Sequence, residues 1–236
     1  YYRNSIVNFN KANLAGVNFS KSDLSGGAAF TDANLNSAQF IEANFSGAFF
    51  YNAKLENANL TRANFSKANF TNSYLRNANL TKTNLKKAIL CSADLAKANL
   101  TGANLSHSDL SSTFLSYSNM SNANLRGANL TGAQLVEVNI HKSIFTNCKV
   151  YGISSWGLKG IPKEQNNIII TPEDESIITV DDLQVAQFIY LLLNRENLRN
   201  ILNAISSKSV LILGRFTIER KNVLEAMAKE LRKHNL

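Results

Sequence analysis

His107, Ser108 and Asp109 bring together, in consecutive positions, the residue types of nucleophilic hydrolysis. A working triad needs the serine hydroxyl within hydrogen-bond reach of the imidazole, and the imidazole held by the carboxylate. The surrounding pattern denies that geometry, because Ser108 falls on the small interior position of a five-residue repeat while both neighbours point outward. His141 and His234 lie apart from this group, and no histidine has a cysteine or carboxylate partner at metal-ligand spacing. Cys148 takes an interior position and Cys91 an exterior one, which puts a disulfide between them out of reach. The turn at Gly214, in LGRFT, has one glycine and neither a GxGxxG nor a Gly-Lys-Ser/Thr sequence, so it gives only weak support for a phosphate cradle. No catalytic residue, metal or cofactor is expected, and the chain is read as a non-enzyme.

The elements that position these side chains follow from the repeat. From Phe30 to Val150 every fifth residue is Leu, Phe, Met, Ile or Val, without a failure. The residue two before it is small: 17 Ala, four Ser and two Thr, with Val138 and Cys148 at the far end. A period of five fits neither the 3.6 of a helix nor the 2 of a strand. Each repeat must instead send one large and one small side chain into a shared interior, which is the logic of a solenoid. The residue just before the large one is usually Asn. Its exceptions before residue 140 are Ala29, Phe49, Lys54, Tyr74, Ile89 and Phe114, and sorted by a period of 20 they fall on two adjacent faces. The other two faces carry unbroken ladders, Asn44 to Asn124 and Gln39 to Asn139, so twenty residues make one coil. An earlier group at Phe9, Leu14, Phe19 and Leu24 sits one residue out of frame, and Gly26 and Gly27 supply the backbone freedom for a bulge that rejoins it.

The units ANLTR, ANFSK, ANLTK and ADLAK resemble the A(D/N)LXX pattern of the pentapeptide-repeat family over residues 7 to about 151. The resemblance implies an all-β right-handed quadrilateral β-helix, of about seven coils here, followed by a small α-helical or α+β C-terminal unit. The expected organisation is a β-helix over 1–152 with its bulge at 26–27, a capping or linker segment over 153–178, and a helical unit over 179–236. Tyr151, Ile153 and Trp156 are expected to close the end of the column. After them NNIIITPEDES reads as a short strand and an acidic turn, and the helix that follows has Thr179 and Asp182 at capping-box spacing. RENLRNILNAISS places Leu198, Ile201, Leu202 and Ile205 on one helical face. The last stretch reads as a strand, the Gly214 turn and a helix with Val223, Leu224, Met227 and Leu231 inward, and resembles the start of bacterial Toll/interleukin-receptor-like domains.

With 236 residues, 44% hydrophobic content and only two prolines, the chain has the material for a folded domain and no run long enough to span a bilayer. It opens on Tyr1 without a signal-peptide pattern, which suggests a processed or cut N-terminus, and two cysteines point to a reducing bacterial cytoplasm. The net charge of +8 is sided. The two ladder faces hold Arg62, Lys67, Lys82, Lys86, Lys87, Arg126 and Lys142 against Glu42, and six of these, from Arg62 to Arg126, form the candidate docking face for an anionic partner. Phe49, Tyr74, Ile89 and Phe114 on the opposite faces form a candidate apolar interface for a protein partner or for a homodimer, which the C-terminal helices could also make. The expected function is a rigid scaffold for protein–protein interaction. The alternative is the recognition arm of a longer Toll-like signalling or NAD-consuming effector. A DNA mimic acting on gyrase ranks below both, since 14 Lys and Arg against seven Asp and Glu through residue 150 are the wrong sign for phosphate mimicry.

Overall fold

A computed structural model of the protein describes residues 7–194. Through them the chain winds as a right-handed quadrilateral β-helix. The large residue of each repeat, Phe30, Leu35, Phe40 and onward, is fully buried, and the small residue two before it lies beside it in the core. Between successive large residues the chain makes a hydrogen-bonded turn, such as Ala33 N–H to Phe30 O at 3.1 Å. The third turn residue takes φ near +60°, a left-handed conformation held by Arg62, Lys67, Lys82 and Lys87 among others.

Parallel bridges join residues 20 apart, as in Asn44↔Asn64↔Asn84. In the first coil the offset is 21, from Asn8↔Ala29 to Asp23↔Asn44, and Gly26 and Gly27 absorb the extra residue at φ of 96° and 109°. The first side of the column runs through Phe49, Asn69 and Ile89; the second through Tyr74, Asp94 and Phe114; the third through Asn59, Asn79 and Asn99; the fourth through Asn64, Asn84 and Asn104. Phe30, Phe50 and Phe70 stack at 4.9 and 4.8 Å inside the first side, matching the spacing of hydrogen-bonded strands.

The asparagines before the large residues do structural work. Asn44, Asn64 and Asn84 each accept the backbone N–H two residues on, and Asn64 and Asn84 donate their amides to the residue below at 2.9 Å. Each is an Asx turn that satisfies a turn donor.

The repeat frame ends at residue 152 in the sequence, yet bridges continue from Gln134↔Ser154 to Lys149↔Ile169. At about eight steps of roughly 4.8 Å the column is about 38 Å long. The last coil escapes the repeat pattern because its large residues move to the small position. Ile153 and Ile168 are buried there and Leu158 packs against the core, while Ser155, Gly160 and Gln165 occupy the places of large residues. Strand β1 (Ile168–Ile169) then pairs antiparallel with β2 (Thr179–Val180). Helix α1 (Leu183–Asn194) follows and buries Leu183, Ala186 and Gln187. Its N-cap is Asp182, which accepts from the N–H groups of Gln184 and Val185 at 2.7 and 3.1 Å; the expected capping box fails because Thr179 belongs to β2. The expected helix at 195–207, the strand, Gly214 turn and helix after it, and with them the Toll-like segment, lie outside the described residues.

Candidate functional site

Ser108 is buried and its hydroxyl donates to Leu105 O at 2.7 Å, so no nucleophile stands beside His107 and Asp109. Among the described residues no group of His, Cys, Asp and Glu could hold a metal ion, and no helix is long and apolar enough to cross a membrane. Cys148 donates its thiol to Leu125 O at 3.0 Å, and burial pushes its pKa up to about 12, while Cys91 is half-buried. A thiol held protonated through neutral pH does not react. A disulfide reagent at pH 8 is expected to label Cys91 promptly and Cys148 only on denaturation; equal labelling of both in the native protein would contradict this burial.

The apolar candidates occupy positions where the fold itself wants asparagine. Phe49, Tyr74, Ile89 and Phe114 are between 40% and 47% exposed. Each replaces the Asx acceptor, and the N–H groups of Tyr51, Arg76, Cys91 and Ser116 that it would have held have no hydrogen-bond partner among the described residues. At two other departures the loss is made good: Asn36 accepts from Glu56 N–H beyond Lys54 at 3.0 Å, and Asn10 accepts from Thr31 N–H beyond Ala29 at 2.7 Å. The four aromatic and aliphatic replacements therefore give up a structural bond and gain exposed apolar surface.

On the second side Tyr74 and Phe114 stand one coil above and below the shorter Asp94, forming the walls of an open groove of about 610 Å³. Arg76 pairs with Asp94 at 2.9 Å across its floor, Lys97 lies at its rim, and Tyr117 adds a third ring that is 59% exposed. Tyr117 was not among the expected residues. Its signal was legible, for a bulky aromatic in the left-handed corner position, at φ 63°, is an outlier. Phe49 and Ile89 do not join this groove; they share the first side, separated by Asn69.

The basic candidates surround the fourth side. Lys67, Lys86, Lys87 and Arg126 line the corner that follows it, and Arg62 and Lys82 line the corner before it. Arg62 is paired with Glu42 at 3.4 Å and Arg126 with Glu164 of the last coil at 2.8 Å. Lys67, Lys82, Lys86 and Lys87 are exposed and have no carboxylate within 4.0 Å among the described residues. Over residues 7–170 the third and fourth sides, with the turns that follow them, carry ten Lys and Arg against three Asp and Glu; the first and second carry five against five.

At the C-terminal end Ile153 is buried, and Tyr151 meets Tyr190 of α1 edge-on at 5.1 Å. Ser155 donates its N–H and hydroxyl to Gln187 of the same helix at 2.6 and 2.5 Å. Trp156 is not part of this closure. It sits in an outward turn position and is 58% exposed, so the expectation of a buried capping ring is corrected.

Stacked five-residue sides, a dry apolar column and a differentiated surface define a solenoid repeat protein. The chain belongs to the pentapeptide repeat family, whose model matches it in eight copies across residues 7–26, 27–62, 58–95, 73–111 and 108–147. Among solved structures it is similar to HetL, a pentapeptide repeat protein involved in heterocyst differentiation regulation from the cyanobacterium Nostoc sp. strain PCC 7120. That match has 25% identity and a TM-score of 0.36, and covers 73% of this chain and 92% of HetL. It is also similar to full-length QnrB1, a plasmid-mediated fluoroquinolone resistance protein, at 16% identity, 67% and 87% coverage and a TM-score of 0.35. A third is Rfr23 from the cyanobacterium Cyanothece 51142, at 22% identity, 65% and 91% coverage and a TM-score of 0.21. No curated protein matches the sequence.

Proposed function

We propose that the protein is a non-enzymatic, cytoplasmic scaffold of a bacterial cell that holds a protein partner in the groove of Tyr74, Phe114 and Tyr117. The observation that carries this reading is the surrender of Asx-turn bonds at Tyr74 and Phe114 in exchange for exposed rings. Aromatic anchors in a concave site, with a polar rim, are the usual hot spots of protein interfaces. A column whose coils are joined by backbone hydrogen bonds on all four sides is pre-organised, so little conformational entropy is lost on docking. A basic second surface, around the fourth side, is available to an anionic partner at the same time.

The test is a photo-crosslinking amino acid placed at position 74 or 117 in cells, with position 79 on the third side as control. A discrete heteromeric adduct from the groove positions and none from position 79 is the expected outcome. An adduct of twice the chain mass would make the groove a homodimer contact instead, and no adduct from the groove would refute the reading. Gyrase mimicry is disfavoured by the basic surface; stoichiometric protein is expected to leave gyrase as sensitive to a fluoroquinolone as before.

A further inference from the structure

The fourth side differs from the groove in what it lacks. Over residues 7–150 every exposed large apolar residue, from Val7 to Tyr117, lies on the first or second side. The fourth side and its corners offer Lys67, Lys82, Lys86 and Lys87 around a floor of Asn64, Asn84 and Asn104, with Ser66 and Thr81 hydroxyls beside them. The floor asparagines turn their Oδ1 atoms to the backbone, accepting the N–H groups of Ser66, Lys86 and Ser106. Lys67 and Lys87 occupy the same corner in adjacent coils, about 4.8 Å apart in backbone. Like charges so placed oppose each other until a counter-charge arrives.

We infer that this side binds the phosphate backbone of duplex nucleic acid without reading its sequence. The inference rests on the anion-docking surface proposed above and names its ligand. Lys, Asn, Ser and Thr are the side chains that contact phosphate and sugar. A protein partner would need an apolar centre to bind stably, since exposed ion pairs alone contribute little. A polyphosphate needs none, because displacing condensed counterions from it drives association through charge alone. Single strands are held by platforms of several aromatic rings, and this side with its corners exposes no Phe, Tyr or Trp, only the imidazoles of His107 and His141. The two arginines best suited to forked contacts, Arg62 and Arg126, are engaged with Glu42 and Glu164, leaving lysines that act as point charges.

The experiment is fluorescence anisotropy of a labelled 20-base-pair DNA duplex titrated with the full chain across a salt series. With about four phosphates neutralised, affinity is expected to fall roughly 100-fold between about 50 and 200 mM salt. Changing Lys67, Lys82, Lys86 and Lys87 together to Gln should weaken binding at least about tenfold at the lower salt and flatten the slope. The same four positions changed to Arg should keep the binding, as should Lys54→Gln with Lys97→Gln on the second side. No duplex binding at low salt, or binding indifferent to the Gln variant, would overturn the inference. Polyglutamate binding with the duplex silent would also overturn it while leaving an anion-docking surface in place; silence of both would remove that surface too.

Discussion

Replacing Phe50 by alanine is expected to destabilise the solenoid by about 3–5 kcal/mol, the range for emptying a buried aromatic site. Phe50 is fully buried and lies face to face between Phe30 and Phe70, with interplanar angles of 2° and 7°. Phe45 and Phe65 pack on it from the neighbouring fourth side, at 6.1 and 5.5 Å between ring centres. No side chain can close the gap, because every coil is fixed at strand spacing by its backbone bonds. Thermal denaturation should show a drop of roughly 6–20 °C for a unit of this size. Each coil touches only its neighbours, so the damage should be local: faster amide exchange around residues 28–72 and little change near Leu130. Uniform acceleration along the column would contradict the one-dimensional account.

The second large effect is on binding. Phe114→Asn should lower the yield of groove adducts from position 117 at least about tenfold, since truncating an aromatic hot spot typically removes 2 kcal/mol or more, about 30-fold in affinity. Its effect on the fold should be small for a specific reason. The variant loses the part of the ring that is covered, Phe114 being 44% exposed, but regains an acceptor for Ser116 N–H, a bond of about 1 kcal/mol. The two changes oppose each other. An adduct yield unchanged by Phe114→Asn would mean that partners are held elsewhere.

The period of five, the coil of twenty and the bulge at Gly26 and Gly27 were all legible because each rests on a local rule repeated many times. The last coil was not, because Ile153 with Ser155 and Leu158 with Gly160 exchange the large and small positions, which erases the pattern while the apolar side chains still face the core. Trp156 misled for a related reason: large aromatics usually pack, and only the turn geometry of its position places it outside. In the candidate site, the departures from asparagine marked Tyr74 and Phe114 correctly as exposed. Phe49 and Ile89, read in the sequence as lying on the adjoining face, stand on the first side, so of the four only Tyr74 and Phe114 line the groove. The charge pairing could not be read at all, since Arg126 meets Glu164 from a coil that the repeat pattern does not announce, and Asp94 turns to Arg76 across a corner.

The claim that the groove rings serve a partner rather than the fold is tested most directly by the melting temperature of the Tyr74→Asn/Phe114→Asn double variant beside the parent protein. The account predicts a change within about 1 kcal/mol, or roughly 2–4 °C, because restored Asx turns offset the lost partial burial. A fall as large as that expected for Phe50→Ala would contradict it, and would make the two rings part of what holds the column together.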